Sequence, residues 1–210
     1  ITGAGRGLGR GMALAFAAAG AEVVVAGRRR EALDAVVAGE PRMRAIEADV
    51  SVENDVVQLF AAAGPVDIVI ANAGAAESAP ITRTSIDVWQ RMMAVNLTGV
   101  FLTLREGVRQ LEGRGWGRLI TVASTAAKRG AVGLTRAVAQ EVAGSGITAN
   151  ALCPGYVDTE LTERTIANIM ATTGRSHDEA LRALTRANPQ GRLVQPAEVT
   201  AAALWLCGPG

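Results

Sequence analysis

The sequence predicts an α/β fold in which helices cover both faces of one doubly wound parallel sheet. Short β-branched runs alternate with longer helical patterns, which is typical of such folds. A glycine-rich turn over residues 3–9 joins the first predicted strand to the first helix. The 210 residues are 49% apolar and 20% charged, with no internal repeat or linker. We therefore expect a single domain over residues 1–210 with a substantial core.

Six strands are predicted, counting a two-residue stub at the start of the chain. The strands span residues 1–2, 22–26, 42–48, 67–71, 118–123 and 147–152. Helical patterns span residues 8–19, 29–38, 53–63, 85–111, 126–143 and 158–188, and a last helix begins at Pro196. Gly20 is placed to end the first helix, because glycine readily adopts the left-handed conformation that closes helices. Proline in the first turn supports the start of the last helix.

Composition and charge argue against several classes of function. The net charge of +1 and the small number of aromatic residues do not favour nucleic acid as a partner. No apolar run is long enough to span a membrane, so we expect a cytoplasmic protein with no membrane partner. Cys153 and Cys207 lie far apart and His177 is the single histidine, so we expect no metal site. His177, with Asp178 and Glu179, is interpreted as a helix start on the surface.

The turn after the first strand has the spacing T-G-x-x-x-G-x-G rather than G-x-G-x-x-G. Gly3, Gly7 and Gly9 carry this spacing. At a strand-to-helix junction, glycines let the backbone approach a phosphate, which the N–H groups and dipole of the helix stabilise. The sequence therefore predicts a Rossmann-like dinucleotide site; the alternative is a glycine turn without a ligand.

This spacing and several later motifs resemble those of the short-chain dehydrogenase/reductase family. Asn72-Ala73-Gly74 follows the fourth strand, Asp49-Val50 closes the third, and Pro154-Gly155 with Thr159 follows the sixth. Taken alone, Asn72–Gly74 is an ordinary turn, and Asp49 or Ser51 is a candidate helix cap. The resemblance implies these cofactor-binding residues: Thr2, Gly3, Gly5, Arg6, Gly7, Leu8, Gly9, Arg28, Asp49, Val50, Asn72, Ala73, Gly74, Lys128, Pro154, Gly155, Val157 and Thr159.

The end of the second strand predicts which dinucleotide binds. An acidic residue there would bind the ribose 2′-hydroxyl of NAD, whereas arginine accommodates the 2′-phosphate of NADP. The chain has Gly27-Arg28-Arg29-Arg30 at this point and Arg6 in the glycine loop. Guanidinium groups bind phosphate well. We expect NADP(H) to be preferred, with NAD(H) as the alternative.

The resemblance also implies a catalytic set, of which one member is missing. Lys128 is the sole lysine in the chain and matches the family's lysine, which holds the nicotinamide ribose and lowers the pKa of a catalytic tyrosine. Ser124 matches the serine that binds the substrate oxygen, and Asn96 matches the asparagine that supports a water chain to the lysine. Alternatively, Ser124 caps a helix and Asn96 is satisfied within its own helix.

The family pattern is Y-x-x-x-K, yet the residue four positions before Lys128 is Ser124. Tyr156 is the only tyrosine, and it lies outside that motif. Either residues are missing near 125–127, or the chain has a true deletion and is a non-catalytic dinucleotide sensor. Because Ile1 directly precedes a turn that normally follows a full strand, we expect both termini to be incomplete too.

The segment over residues 158–190 is expected to be a lid that selects the substrate. The residues from Asn188 to Arg192 resemble those of 3-oxoacyl thioester reductases and of 3-hydroxyacyl or 3-hydroxybutyrate dehydrogenases. The resemblance therefore implies hydride transfer between nicotinamide and a ketone or secondary alcohol, with a 3-oxoacyl thioester on ACP or CoA as the expected substrate. It also implies a homotetramer that packs through the apolar helices at 85–111 and 126–143.

Overall fold

A computed structural model describes residues 1–77, 81–123 and 129–208, with only the backbone of residue 129, and confirms the α/β prediction. In these ranges the strands are β1 (Val23–Gly27), β2 (Met43–Glu47), β3 (Ile68–Ala71), β4 (Gly117–Val122) and β5 (Ile147–Leu152). The helices are α1 (Gly7–Ala18), α2 (Arg30–Val37), α3 (Glu53–Ala63), α4 (Ile86–Met93), α5 (Gly99–Leu111), α6 (Arg129–Glu141), α7 (Glu160–Thr173), α8 (His177–Thr185) and α9 (Pro196–Leu206). Most predicted boundaries agree within about two residues, as strong periodicity allows.

The stub at the start of the chain joins the two halves of the sheet. β1 pairs in parallel with β2, and β3, β4 and β5 pair in parallel in that order. Thr2 forms a parallel bridge with Ala26 of β1, while its N–H donates to Ile70 O of β3 at 3.0 Å. The spatial order is therefore β2–β1–stub–β3–β4–β5, which is the predicted doubly wound arrangement.

Both faces of the sheet are buried, because neighbouring residues of the central strands point to opposite sides. Val69 and Leu119 pack in a cluster with α3, α5 and α6. Ile70 and Ile120 pack in a second cluster with α1, α2 and α9. The sheet is thus the middle layer of three, and the ends of its strands remain available to carry a site.

The predicted helix over residues 85–111 has a different geometry in its middle. Ser85 caps the start of α4, where its hydroxyl accepts the Val88 N–H at 3.2 Å, and α4 ends at Met93. A π-helical turn, Ala94–Thr98, then connects α4 to α5. Such turns insert an extra residue and are frequent at functional sites. Helical spacing in the sequence does not distinguish this turn from a continuous α-helix.

The polar segment after β5 is two helices rather than one. Gly174, in the left-handed conformation at φ 70°, closes α7. Ser176 then caps α8 in a reciprocal capping box with Glu179. The predicted surface helix start at His177 is confirmed. We refer to residues 160–185 as the α7–α8 segment.

Candidate functional site

The glycine loop is packed tightly against the turn that follows β3. Gly3 has φ +66°, and a Cβ there would lie 2.6 Å from Cα of Ala73. A Cβ at Gly9 would lie 2.5 Å from both Nδ2 of Asn72 and the carbonyl oxygen of Gly3. These two glycines are therefore required by the contact between loop and turn, before any ligand is considered.

Hydrogen bonds between Thr2 and Asn72 hold this contact in place. The Thr2 hydroxyl accepts the N–H groups of Asn72 and Ala73 at 3.1 and 3.2 Å, and Nδ2 of Asn72 donates to the Thr2 carbonyl at 2.9 Å. Thr2 is buried. The structure thus uses these predicted cofactor-binding residues to fix the shape of the loop, with Gly74 next along the turn.

The start of α1 is suited to an anion. No side chain caps this helix, and its first turn contains no acidic residue. Gly7 has φ +53°, and among the described residues a Cβ there would meet Thr159, at 3.9 Å. Gly5 instead packs on Ala32 of α2, and Leu8 is half-buried. An uncapped helix start without acidic residues therefore fits the phosphates of a dinucleotide.

Asp49 and Val50 have different environments at the end of β2. The Asp49 carboxylate accepts the N–H and hydroxyl of Ser51 at 2.9 and 2.6 Å, and Arg28 lies 3.7 Å away. Burial raises the pKa of Asp49, but the two hydrogen bonds and Arg28 outweigh it, so the pKa is lowered. Val50 is only 7% exposed, and a Cβ at Gly99 would lie 2.7 Å from it. Asp49 is therefore the more accessible of this predicted pair.

Arginines from three elements converge beside the glycine loop. Arg6 lies 3.6 Å from Glu160 at the start of α7, and Arg164 of α7 lies 4.0 Å from the same carboxylate. Burial lowers the pKa of Arg6, and the charges of Arg164, Arg29 and Arg28 lower it further. The sequence predicted a phosphate-binding role for Arg6 and for the arginines at residues 28–30. It did not predict that Glu160 and Arg164 would lie beside them. Both lie on another element, far away in sequence.

Asn96 lies in the π-helical turn and is 1% exposed. Its Oδ1 accepts the Ala75 N–H at 3.1 Å, and its Nδ2 donates to the Ala75 carbonyl at 2.9 Å. Within its own helix, Nδ2 also donates to the Met92 sulfur at 3.9 Å, but the shorter bonds go to Ala75, so the sequence alternative of an asparagine satisfied in its own helix does not account for its bonding. Asn96 instead clamps the chain directly after the Asn72–Gly74 turn.

Ser124 and Lys128 lie outside the described residues. The prediction of missing residues between them falls in the same stretch and is likewise outside the described residues. The structure does place their neighbours. Ala123, at the end of β4, donates its N–H to the Leu152 carbonyl at 2.8 Å, and α6 begins at residue 129. The roles of Ser124 and Lys128 remain predictions.

The loop after β5 is held by an asparagine that sequence reasoning did not assign to the site. Asn188 is 3% exposed. Its Oδ1 accepts the Tyr156 N–H at 2.9 Å, and its Nδ2 donates to the carbonyls of Tyr156 at 3.0 Å and Arg192 at 2.7 Å. A Cβ at Gly155 would overlap this amide. Asn188 thus shapes the predicted Pro154–Gly155 loop, and its signal in the sequence was its place at the start of the Asn188–Arg192 motif, directly before a proline.

Val157 and Thr159 continue from this loop into α7. Val157 is buried and forms a parallel bridge with Val194. Thr159 is the residue before α7, and it is the one that faces Gly7. Predicted cofactor residues from the glycine loop and from the loop after β5 therefore meet at one place, and they fit a dinucleotide.

Comparison with known proteins identifies the family. Residues 1–169 match the family model described as short chain dehydrogenase. D-beta-hydroxybutyrate dehydrogenase of Cupriavidus necator is 35% identical over 228 aligned positions, covering 98% of this chain and 88% of the relative. The chain belongs to the short-chain dehydrogenase family, as the motifs indicated.

Solved structures agree with this assignment. An actinorhodin polyketide ketoreductase determined with NADPH superimposes with a TM-score of 0.91 at 31% identity, covering 100% of this chain and 89% of that one. A 3-ketoacyl-(acyl-carrier-protein) reductase from Brucella melitensis, determined with NADH, gives 0.86 at 31% identity and the same coverage. The protein is an oxidoreductase of the ketone and secondary-alcohol class that uses a nicotinamide dinucleotide.

The described residues contain neither a metal-binding group nor a helix that could span a membrane. Within residues 1–77, 81–123 and 129–208, no group of three or more histidine, cysteine or acidic side chains is placed to hold a metal ion. No helix in these same ranges has the length and apolar character needed to cross a bilayer.

Proposed function

We infer that the protein is an NADP(H)-preferring oxidoreductase that interconverts a 3-oxoacyl thioester and the corresponding 3-hydroxyacyl thioester. The observation that carries the cofactor preference is the charge around the end of β1. Arg28 and Arg29 follow β1, and their charges lower the pKa of Arg6 in the glycine loop. Asp49 accepts from Ser51 and pairs with Arg28. A 2′-phosphate would balance this charge, whereas no carboxylate extends from the end of β1 toward a ribose 2′-hydroxyl.

The bound dinucleotide supplies or accepts the hydride at its nicotinamide ring. The chain's own residues have supporting roles in this proposal. The N-terminus of α1 and Arg6 hold phosphates, Thr159 borders the nicotinamide side, and Ser124 binds the substrate oxygen. Lys128 holds the nicotinamide ribose, and Asn96 keeps the chain at Ala75 in place.

The substrate class rests on the α7–α8 segment and on the relatives. Residues 158–190 are proposed to form the substrate lid. They follow β5, and the carboxyl end of β5 lies on the same side of the parallel sheet as the glycine loop. Asn188 connects this segment to the Pro154–Gly155 loop. Of the three proteins compared above, two are named as ketoreductases and one as a hydroxybutyrate dehydrogenase. All three names refer to β-oxygenated acyl compounds or to polyketides.

Arg28→Asp tests the cofactor preference. Loss of one charge-assisted contact of about 1.5–3 kcal/mol should weaken NADPH binding by tenfold or more while NADH binding is kept or improved. Arg30→Asp makes the same charge change two residues away, where Asp34 already holds the guanidinium at 2.9 Å, and it serves as the matched control. Dissociation constants from nucleotide fluorescence provide the measurement. Unchanged selectivity in Arg28→Asp would refute the preference.

A substrate panel tests the reaction. Acetoacetyl and longer 3-oxoacyl thioesters, simple ketones, sugars and secondary alcohols should be assayed with both nucleotides by the change in nicotinamide absorbance. The proposal expects the highest kcat/KM for a 3-oxoacyl thioester. A higher value for a sugar or a simple ketone would replace this substrate class with another.

A second candidate is a non-catalytic dinucleotide sensor, which the absent tyrosine favours. The residue four positions before Lys128 is Ser124. The match to the hydroxybutyrate dehydrogenase extends over 228 positions although this chain has 210 residues, so the relative has residues without a counterpart here. NADPH binding without turnover of any compound in the panel would support the sensor.

We also propose a homotetramer in the cytoplasm. Trp89 of α4 is 52% exposed, Phe101 of α5 is 43% exposed and Trp205 of α9 is 80% exposed. Exposed apolar patches mark interfaces, and Trp89 and Phe101 lie within residues 85–111, which we expect to pack in the tetramer, whereas α9 packs on the other face of the sheet. Light scattering after size exclusion tests the assembly, with a monomer as the contradicting result, and cell fractionation tests the location.

A further inference from the structure

The glycine loop and α7 share one acidic side chain. Glu160 lies 3.6 Å from Arg6 and 4.0 Å from Arg164, one helical turn further along α7. Thr159 also faces Gly7. The start of α7 therefore lies against the part of the chain that is proposed to bind the cofactor's phosphates.

The charges at this point are unbalanced. Arg6, Arg28, Arg29 and Arg164 are close enough for the last three to lower the pKa of Arg6, whereas Glu160 is the acid that opposes them. Arg28 also has Asp49, at 3.7 Å. The side chains of Arg6, Glu160 and Arg164 are 42%, 66% and 62% exposed, so each ion pair contributes little by itself. Such a cluster favours a multivalent anion over a single carboxylate.

We propose that Arg164 is a specificity-determining residue that reaches from α7 to the 2′-phosphate of NADP(H), together with Arg6. Glu160 forms ion pairs with both guanidinium groups, at 3.6 and 4.0 Å. The phosphate then replaces Glu160 as their partner and connects α7 to the glycine loop. Discrimination between the two dinucleotides therefore depends partly on the α7–α8 segment as well as on Arg28.

This inference rests on the proposed NADP(H) preference and has two consequences of its own. Loss of the Arg164 charge should weaken binding of ligands that carry a 2′-phosphate and leave the others unchanged. NADPH should also slow amide exchange in α7 more than NADH does, because only NADPH connects α7 to the loop.

The experiment compares Arg164→Gln with the wild-type protein and with Arg182→Gln. Arg182 lies on α8, in the same segment, and no described ion pair joins it to the loop. Adenosine 2′,5′-bisphosphate and adenosine 5′-monophosphate serve as probes, because they differ by the 2′-phosphate alone. Dissociation constants by calorimetry, and hydrogen exchange over residues 160–173 with NADPH or NADH, provide the measurements.

We expect Arg164→Gln to bind the bisphosphate and NADPH about fivefold to tenfold more weakly, as for one partly exposed charged contact. Binding of the monophosphate and NADH should be unchanged, the additional protection of α7 by NADPH should be lost, and Arg182→Gln should behave as wild type. Equal affinities of wild type and Arg164→Gln for the bisphosphate would overturn the role of Arg164. If Arg28→Asp still changed the preference, the proposed function would stand. A wild-type protein that binds both probes equally would overturn the NADP(H) preference itself.

Discussion

Replacing Asn188 with alanine tests the account of the loop after β5. The side chain makes three hydrogen bonds, to the N–H and carbonyl of Tyr156 and to the carbonyl of Arg192. At about 1 kcal/mol for each bond, less for the exposed carbonyl of Arg192, the loss is about 2–3 kcal/mol. For a domain of this size, that lowers the melting temperature by about 5–10 °C.

Thermal unfolding by circular dichroism measures this effect, and limited proteolysis shows whether the chain after Tyr156 opens locally. Asn168→Ala is the matched control, because Asn168 is exposed on α7. Its melting temperature should be close to that of the wild type. An Asn188→Ala protein that matched this control in both melting temperature and proteolysis would refute the reasoning.

Three further predictions concern the glycine loop, α9 and the two thiols. Gly9→Ala should reduce dinucleotide binding and stability, because the methyl group would lie 2.5 Å from the Gly3 carbonyl oxygen; calorimetry measures the binding. Arg192 holds the pKa of Glu198 at about 2, so stabilisation by Glu198 is complete above its unfolded pKa of about 4.3 and is lost as the pH falls toward 2. Urea unfolding against pH should show a smaller acid-side loss in Glu198→Gln. Burial raises the pKa of Cys207 to about 11, so iodoacetamide at about pH 8 should modify the exposed Cys153 first, as peptide mapping would show.

Each of these predictions has a contradicting result. Gly11→Ala controls the loop variant, since its nearest atom would be 4.0 Å away, in Thr200, and a helical glycine replaced by alanine gains about 0.5–1 kcal/mol. Equal nucleotide affinity in both glycine variants would contradict the packing argument. An unchanged acid-side slope in Glu198→Gln, or alkylation of Cys207 as fast as Cys153, would contradict the other two.

Helices and strands were predictable because the periodicity of buried residues is strong. The stub at Thr2, the β-branched runs of β3 and β4, and the start of α9 at Pro196 all agree with the structure. The π-helical turn was not predictable from the sequence, because the feature that marks it is the hydrogen bond between Asn96 and Ala75. That contact joins residues 21 positions apart, and nothing in the local pattern of α4 and α5 indicates it.

The sequence by itself determined the fold class, the family and the chemical type of the site, because glycine spacing, strand ends and charged residues are local features. Only the tertiary structure showed that Thr2 and Asn72 fix each other, that Asn188 holds the loop after β5, and that Glu160 meets Arg6. The physical reason is that a folded site is made of contacts between distant segments. Their hydrogen bonds and charges depend on how the helices and strands pack, which the order of residues along each segment does not reveal.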